Sequence, residues 1–132
     1  MDNNRVKYTV IKDKGIVRAT ISNCEFDAII AFNKKFMLPS TNCLSMDNCL
    51  SMDVNFGREN DDRFVMPHQF SAVARCHVED EWDEEAGKKI ALKKLSEKYN
   101  YSVDKRFSNM FDTLISVMGK MSTYLDDRNM LE

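Results

Sequence analysis

Glycine and proline are scarce in this 132-residue chain, at four and two residues. The glycines stand apart at positions 15, 57, 87 and 119, so no glycine-rich loop is available to cradle a phosphate. No Cys-x-x-Cys occurs among Cys24, Cys43, Cys49 and Cys76, and neither His68 nor His77 stands at zinc-finger spacing from them. No metal and no cofactor is therefore expected. His-Glu-x-x-His is missing. His77-Val78-Glu79 has the first half of a zinc-deaminase signature, but the Pro-Cys-x-x-Cys half is absent. The nucleophile-elbow pattern of the α/β-hydrolases is absent too. These gaps leave an enzyme reading with little support, and a binding protein is expected instead.

Two further absences bear on location and partners. No span approaches the roughly 20 apolar residues of a membrane helix, and Met1-Asp2-Asn3-Asn4-Arg5 shows no apolar signal core. A cytosolic place is expected, with the four cysteines as thiols. A net charge of −2 gives no overall basic field, so nucleic acid is not an expected partner.

What is present is patterned. Val6, Tyr8 and Val10 alternate with Lys7 and Thr9; Val17, Ala19 and Ile21 alternate with Arg18 and Thr20. Period two on both sides of Asp13-Lys14-Gly15 predicts a hairpin, with Gly15 in the left-handed position. Phe26, Ile29, Ile30 and Phe36 fit one face of a short helix over about 25–36, with Asn23 as its cap; a strand is the alternative. Alternation returns over 69–77, where Phe70, Ala72, Ala74 and Cys76 share a face, predicting a third strand that pairs with the hairpin.

Asp80, with Asp83 three residues on, predicts a capped helix start. Its apolar face is Gly87, Ile90, Ala91, Leu95 and Tyr99, and Asn100 is the expected stop. A further helix is expected over about 103–126, where Phe107, Met110, Leu114, Val117, Met121 and Tyr124 step by three and four. That stripe is broader than one small sheet can cover, so a homo-oligomer joined through the C-terminal helices is expected. The expected fold is α+β, one domain over 1–132: hairpin and short helix over 1–36, a polar loop over 37–68, and a strand plus a helical hairpin over 69–132. The loop holds Asn-Cys-Leu-Ser-Met-Asp twice in tandem, at 42–47 and 48–53. One repeated hexapeptide is too short for a solenoid and reads as an insertion.

An anionic nucleotide needs cationic side chains for phosphate and an aromatic platform for a base. Arg18 and Arg75 fall on the strand faces opposite the core, together with Thr20, Ser71 and His77. Arg106 opens the last helix, and Trp82 and Tyr101 lie near helix ends. The candidate ligand-binding residues are Arg18, Arg75, His77 and Arg106 for phosphates, with Trp82 or Tyr101 for a base. The plainer reading makes the strand residues a solvated face and the aromatics packing residues. The acidic run Glu79-Asp80-Glu81-Trp82-Asp83-Glu84-Glu85 suits a helix start electrostatically. Alternatively it is a surface that occupies a basic nucleic-acid groove on a host defence protein, in the manner of an anti-CRISPR inhibitor.

Ala74-x-Cys76-x-x-x-Asp80-x-Trp82-Asp83-x-x-x-Gly87-x-x-Ile90-Ala91 resembles a pattern of small phage and prophage proteins, a strand leading through an acidic cap to a helix with a close-packed glycine. Among these, the layout is similar to the phage anti-Thoeris sponge family. The motif covers residues 69–95 and the layout the rest. The resemblance implies an oligomer in the host cytoplasm that sequesters a small-molecule cyclic nucleotide, of the cyclic ADP-ribose type, without cleaving it.

Overall fold

The computed structural model describes residues 1–37, 62–77 and 81–128. Strands β1 (Lys7–Ile11), β2 (Ile16–Ser22) and β3 (Gln69–Arg75) form an antiparallel sheet in the order β1-β2-β3. Helix α1 (Asp27–Phe32) runs on into a π-helical turn, Asn33–Met37, and helix α2 spans Glu84–Asp127. The architecture is the expected α+β class, with the sheet N-terminal to the long helix.

The alternation read from sequence sets the register. Val17 lies between Val10 and Ala74, and Ala19 between Tyr8 and Ala72. Val17, Ala19, Ile21, Ala72 and Ala74 are buried beneath the first half of α2, with Ala91 and Leu95 facing them. Gly15 has φ +63°, the left-handed conformation that lets the β1–β2 connection close. Gly87 permits the closest approach of α2 to the sheet. A Cβ built there would lie 2.8 Å from Val17 Cγ2.

Three expectations are corrected. The helical hairpin is instead one continuous helix of 44 residues, about 66 Å long. No glycine or proline lies between Lys88 and Met118, and an interior Asn costs at most about 0.7 kcal/mol against Ala. Buried contacts on both sides of Asn100 outweigh that cost: Tyr99 donates to Asp27 Oδ2 at 2.8 Å, and Ser102 accepts from Arg106 at 2.9 Å. The N-cap of this helix is Asp83, whose carboxylate accepts from the Ala86 N–H at 3.1 Å; Asp80 lies outside the described residues. Asn23 does not cap α1, which begins at Asp27. It sits upstream in the left-handed region, with φ 61°.

The tandem hexapeptides at 42–53 also fall outside the described residues. The end of the expected polar loop is described, and it is not wholly solvated: Phe64 and Met66 are buried in the core, while Asp62, Arg63, Pro67 and His68 are exposed. Two backbone hydrogen bonds, Met66 N–H to Glu25 O and Cys24 N–H to His68 O, hold it beside the β2–α1 connection. Among the described residues, no helix is long and apolar enough to cross a membrane.

Candidate functional site

The face of the sheet opposite α2 carries the residues that parity assigned to it. Arg18 pairs with Val73, Thr20 with Ser71, and Ile16 with Arg75. Arg18 and Arg75 are exposed, one diagonal step apart on this face. His77 is exposed just beyond the end of β3.

The edge of this sheet adds two cations that the strand pattern does not reveal. Lys98 donates its ammonium to the Ser71 carbonyl at 2.9 Å, and Lys94 donates to the Val73 carbonyl at 3.3 Å. Residues 71 and 73 direct their carbonyls away from β2, and among the described residues these lysines are what caps the β3 edge there. Four-residue spacing along α2 matches alternate carbonyls along β3, because one helical turn advances about 5.4 Å and two strand residues about 6.7 Å. The only sequence signal for this was the position of Lys94 and Lys98 next to the buried Leu95 and Tyr99.

Arg18, Ser71, Ala72, Val73, Lys94, Glu97 and Lys98 line a concavity of about 490 Å³. Its three cations and one carboxylate leave a local charge of +2, on a chain whose net charge is −2. Ammonium groups bonded to carbonyls keep further N–H donors, since each carries three. A guanidinium and two ammoniums on one rim suit a multiply charged anion such as a phosphate or pyrophosphate.

Arg75 and Trp82 meet elsewhere. They line a smaller hollow of about 280 Å³ beside Gly15, Cys76 and Gly87, in which Glu81 and Asp83 place two carboxylates against one guanidinium. That balance disfavours an anion, and Trp82 there packs over the start of α2. Tyr101 is exposed on α2, about 10 Å further along the helix axis than Lys94, and Arg106 is about 18 Å further. A protomer therefore gathers Arg18 and Arg75 on one sheet face but does not bring Tyr101 or Arg106 to them. The unbroken helix carries Arg106 away from the sheet, and Tyr101, three residues past Lys98, lies outside the concavity's lining.

A second polar cluster is built into the core. Asp27 Oδ2 accepts from Arg5 Nη1 and from the Tyr99 hydroxyl, each at 2.8 Å. Arg5 Nη2 also donates to the carbonyls of Ser22 and Asn23, at 2.8 and 3.0 Å. The Asp27 hydrogen bond raises the Arg5 pKa. Burial, reinforced by Asp27, pushes the Cys24 thiol up to about 11 and raises the Tyr99 hydroxyl as well. Close by, His68 and Glu25 form a hydrogen-bonded pair that lowers the Glu25 carboxyl. This cluster ties the N-terminus, α1 and α2 together, and its groups are occupied with one another.

The acidic run is spent partly on the helix start. Asp83 caps it, and Lys88 lies 3.4 Å from Glu84 and 3.7 Å from Glu85, while Glu81 is exposed. Comparison with protein families, with curated proteins and with solved structures finds no match.

Proposed function

We propose that this chain is a non-catalytic binder of an anionic, cyclic nucleotide-type signal, acting as a phage counter-defence protein in the host cytoplasm. The observation that carries the reading is the cationic concavity at the β3 edge, where Arg18, Lys94 and Lys98 converge. Phosphate recognition uses charge-assisted donors, and each lysine, held by one β3 carbonyl, keeps further N–H groups to offer. Arg75 lies one diagonal step from Arg18 on the sheet, but it lines the other hollow with Glu81 and Asp83 and adds nothing to this rim. The ligand class, a cyclic ADP-ribose-type molecule, is what the layout similarity to the phage anti-Thoeris sponge family implies, and the one continuous helix in place of a helical hairpin departs from that layout. The base would stack outside the protomer's own concavity, because its lining contains no aromatic ring.

The test is capture and release. Purified protein incubated with a cyclic ADP-ribose isomer is expected to deplete it from solution and to return it intact after heat denaturation, as read by mass spectrometry. Recovery of degraded ligand alone means an enzyme and overturns the proposal. Arg18→Ala and Lys98→Ala are each expected to weaken capture about tenfold or more, because a charge-assisted hydrogen bond contributes about 1.5–3 kcal/mol. Charge reversal at Glu81, Glu84 and Glu85 should leave capture unchanged.

A further inference from the structure

Beyond its contacts with the body, α2 continues as an amphipathic helix with nothing described against its apolar side. From Ile115 to Arg128 every residue is exposed or at most partly buried. Ile115 is 65% exposed, Met118 67%, Met121 59% and Tyr124 55%. Successive helix positions turn by about 100°, which places these residues with Phe111 and Leu114 on one half of the cylinder. The other half carries Asp112, Ser116, Lys120, Thr123 and Asp127.

We propose that this distal half of α2 pairs, antiparallel, with the same segment of a second copy of the chain. The exposed apolar residues amount to roughly 600 Å² per protomer, taking about 150–250 Å² for each large side chain. That is at the upper end of the largest contiguous apolar patch on a typical monomer, and such patches commonly mark interaction sites. Two such faces together exceed the roughly 1,000 Å² that a specific interface requires. The polar half selects against other occupants. Over 107–127 it holds Asp112, Asp126 and Asp127 against a single Lys120, whereas a membrane-surface helix wants lysine and arginine there.

Orientation follows from charge. Asp104, Lys105 and Arg106 sum to +1 at one end of the stripe, and Asp126, Asp127 and Arg128 sum to −1 at the other. Antiparallel pairing sets the positive end of each helix beside the negative end of its partner and opposes the two helix dipoles; parallel pairing does neither. It also brings the partner's helix end over the half-exposed ring cluster of Phe36 and Phe111, whose centroids lie 5.3 Å apart. Pairing of this kind stands independently of what the concavity binds.

Size-exclusion chromatography with light scattering, at tens of micromolar protein, is the test. The expected mass is twice 15.3 kDa. Met118→Asp and Ile115→Asp are expected to give monomers with unchanged far-ultraviolet circular dichroism, and Ser116→Asp, on the polar half, to remain dimeric. A monomeric wild type would overturn the proposal, including the case in which another segment of the same chain covers the stripe. So would a dimer that persists in Met118→Asp. In isotope-mixed protein an amine cross-linker long enough to span the paired helices should join Lys105 of one copy to Lys120 of the other, since both lie on the polar halves. Inter-copy Lys105–Lys105 links would mean parallel pairing and would overturn the orientation.

Discussion

Cys24 has no exposed surface, and its thiol lies beside Asp27, which already accepts from Arg5 and Tyr99. Burial disfavours the thiolate, and ionisation would also set a second negative charge beside Asp27, so its pKa rises from 9.0 to about 11. The sign of the linkage is fixed by this shift. Below pH 9 the thiol is neutral in both states and the stability it contributes is fully present. As pH climbs through 9 toward 11 the unfolded chain ionises first, and that stability is lost. Tyr99 shifts in the same direction and adds to the loss at still higher pH. Urea midpoints should therefore fall between about pH 8 and about pH 10.5, with Cys24 accounting for about 2 kcal/mol. Cys24→Ala should remove that part of the pH dependence, whatever it does to stability at pH 8. A Cys24→Ala variant with the wild-type slope would mean that the thiol is not the group titrating. The cluster was invisible in the sequence because Arg5, Asp27 and Tyr99 are separated by 22 and 72 residues. Local pattern carries no information about such partners.

At the scale of elements, two glycines in one helix predict opposite outcomes. Both replace a better helix former, at about 0.8–1 kcal/mol relative to Ala. Gly119 meets nothing within 4 Å, so Gly119→Ala should stabilise the protein by about that amount. Gly87 faces Val17 Cγ2, and an added methyl at 2.8 Å must displace a stiff, β-branched side chain buried in the central strand. Overpacking of this kind costs about 1–3 kcal/mol, so Gly87→Ala should be neutral to destabilising by about 2 kcal/mol after the helix gain. Combining it with Val17→Ala should recover part of the loss, a coupling that thermal or urea denaturation of the four variants measures. The strands were legible because period two leaves little freedom: once Val17, Ala19 and Ile21 face the core, Arg18 and Thr20 must face away. Helix continuity was not legible at Asn100, where Tyr99-Asn100-Tyr101-Ser102 interrupts the apolar period without a breaking residue. The tertiary contact of Tyr99 with Asp27, and the bond from Arg106 to Ser102 one turn along the helix, decide it. Arg106, expected to open a separate last helix, instead lies within the continuous one, while the lysines that reach the sheet sit on its first half.

At the scale of the whole molecule, α2 divides into two lengths with different work. Its first half closes the core, whose last buried member is Met110 and whose last packed neighbour is Leu114. The remainder makes no contribution to that core, yet it carries a large share of the exposed apolar surface. A truncated chain ending after Val117 should therefore keep the sheet, the Asp27 cluster and the β3-edge concavity, and unfold cooperatively. It should also be monomeric. The full chain, stabilised by association, should show a Tm that rises by about 2–4 °C for each tenfold increase in concentration, because mass action favours the associated state. The truncated chain should show none. Ligand capture separates the remaining possibilities. If Arg18, Lys94 and Lys98 suffice for the phosphates, the truncated chain captures ligand with affinity within a few-fold of the full chain. If capture is lost while the fold persists, the partner copy supplies part of the site, and Tyr101 and Arg106, carried outward on the helix, become the residues to substitute next.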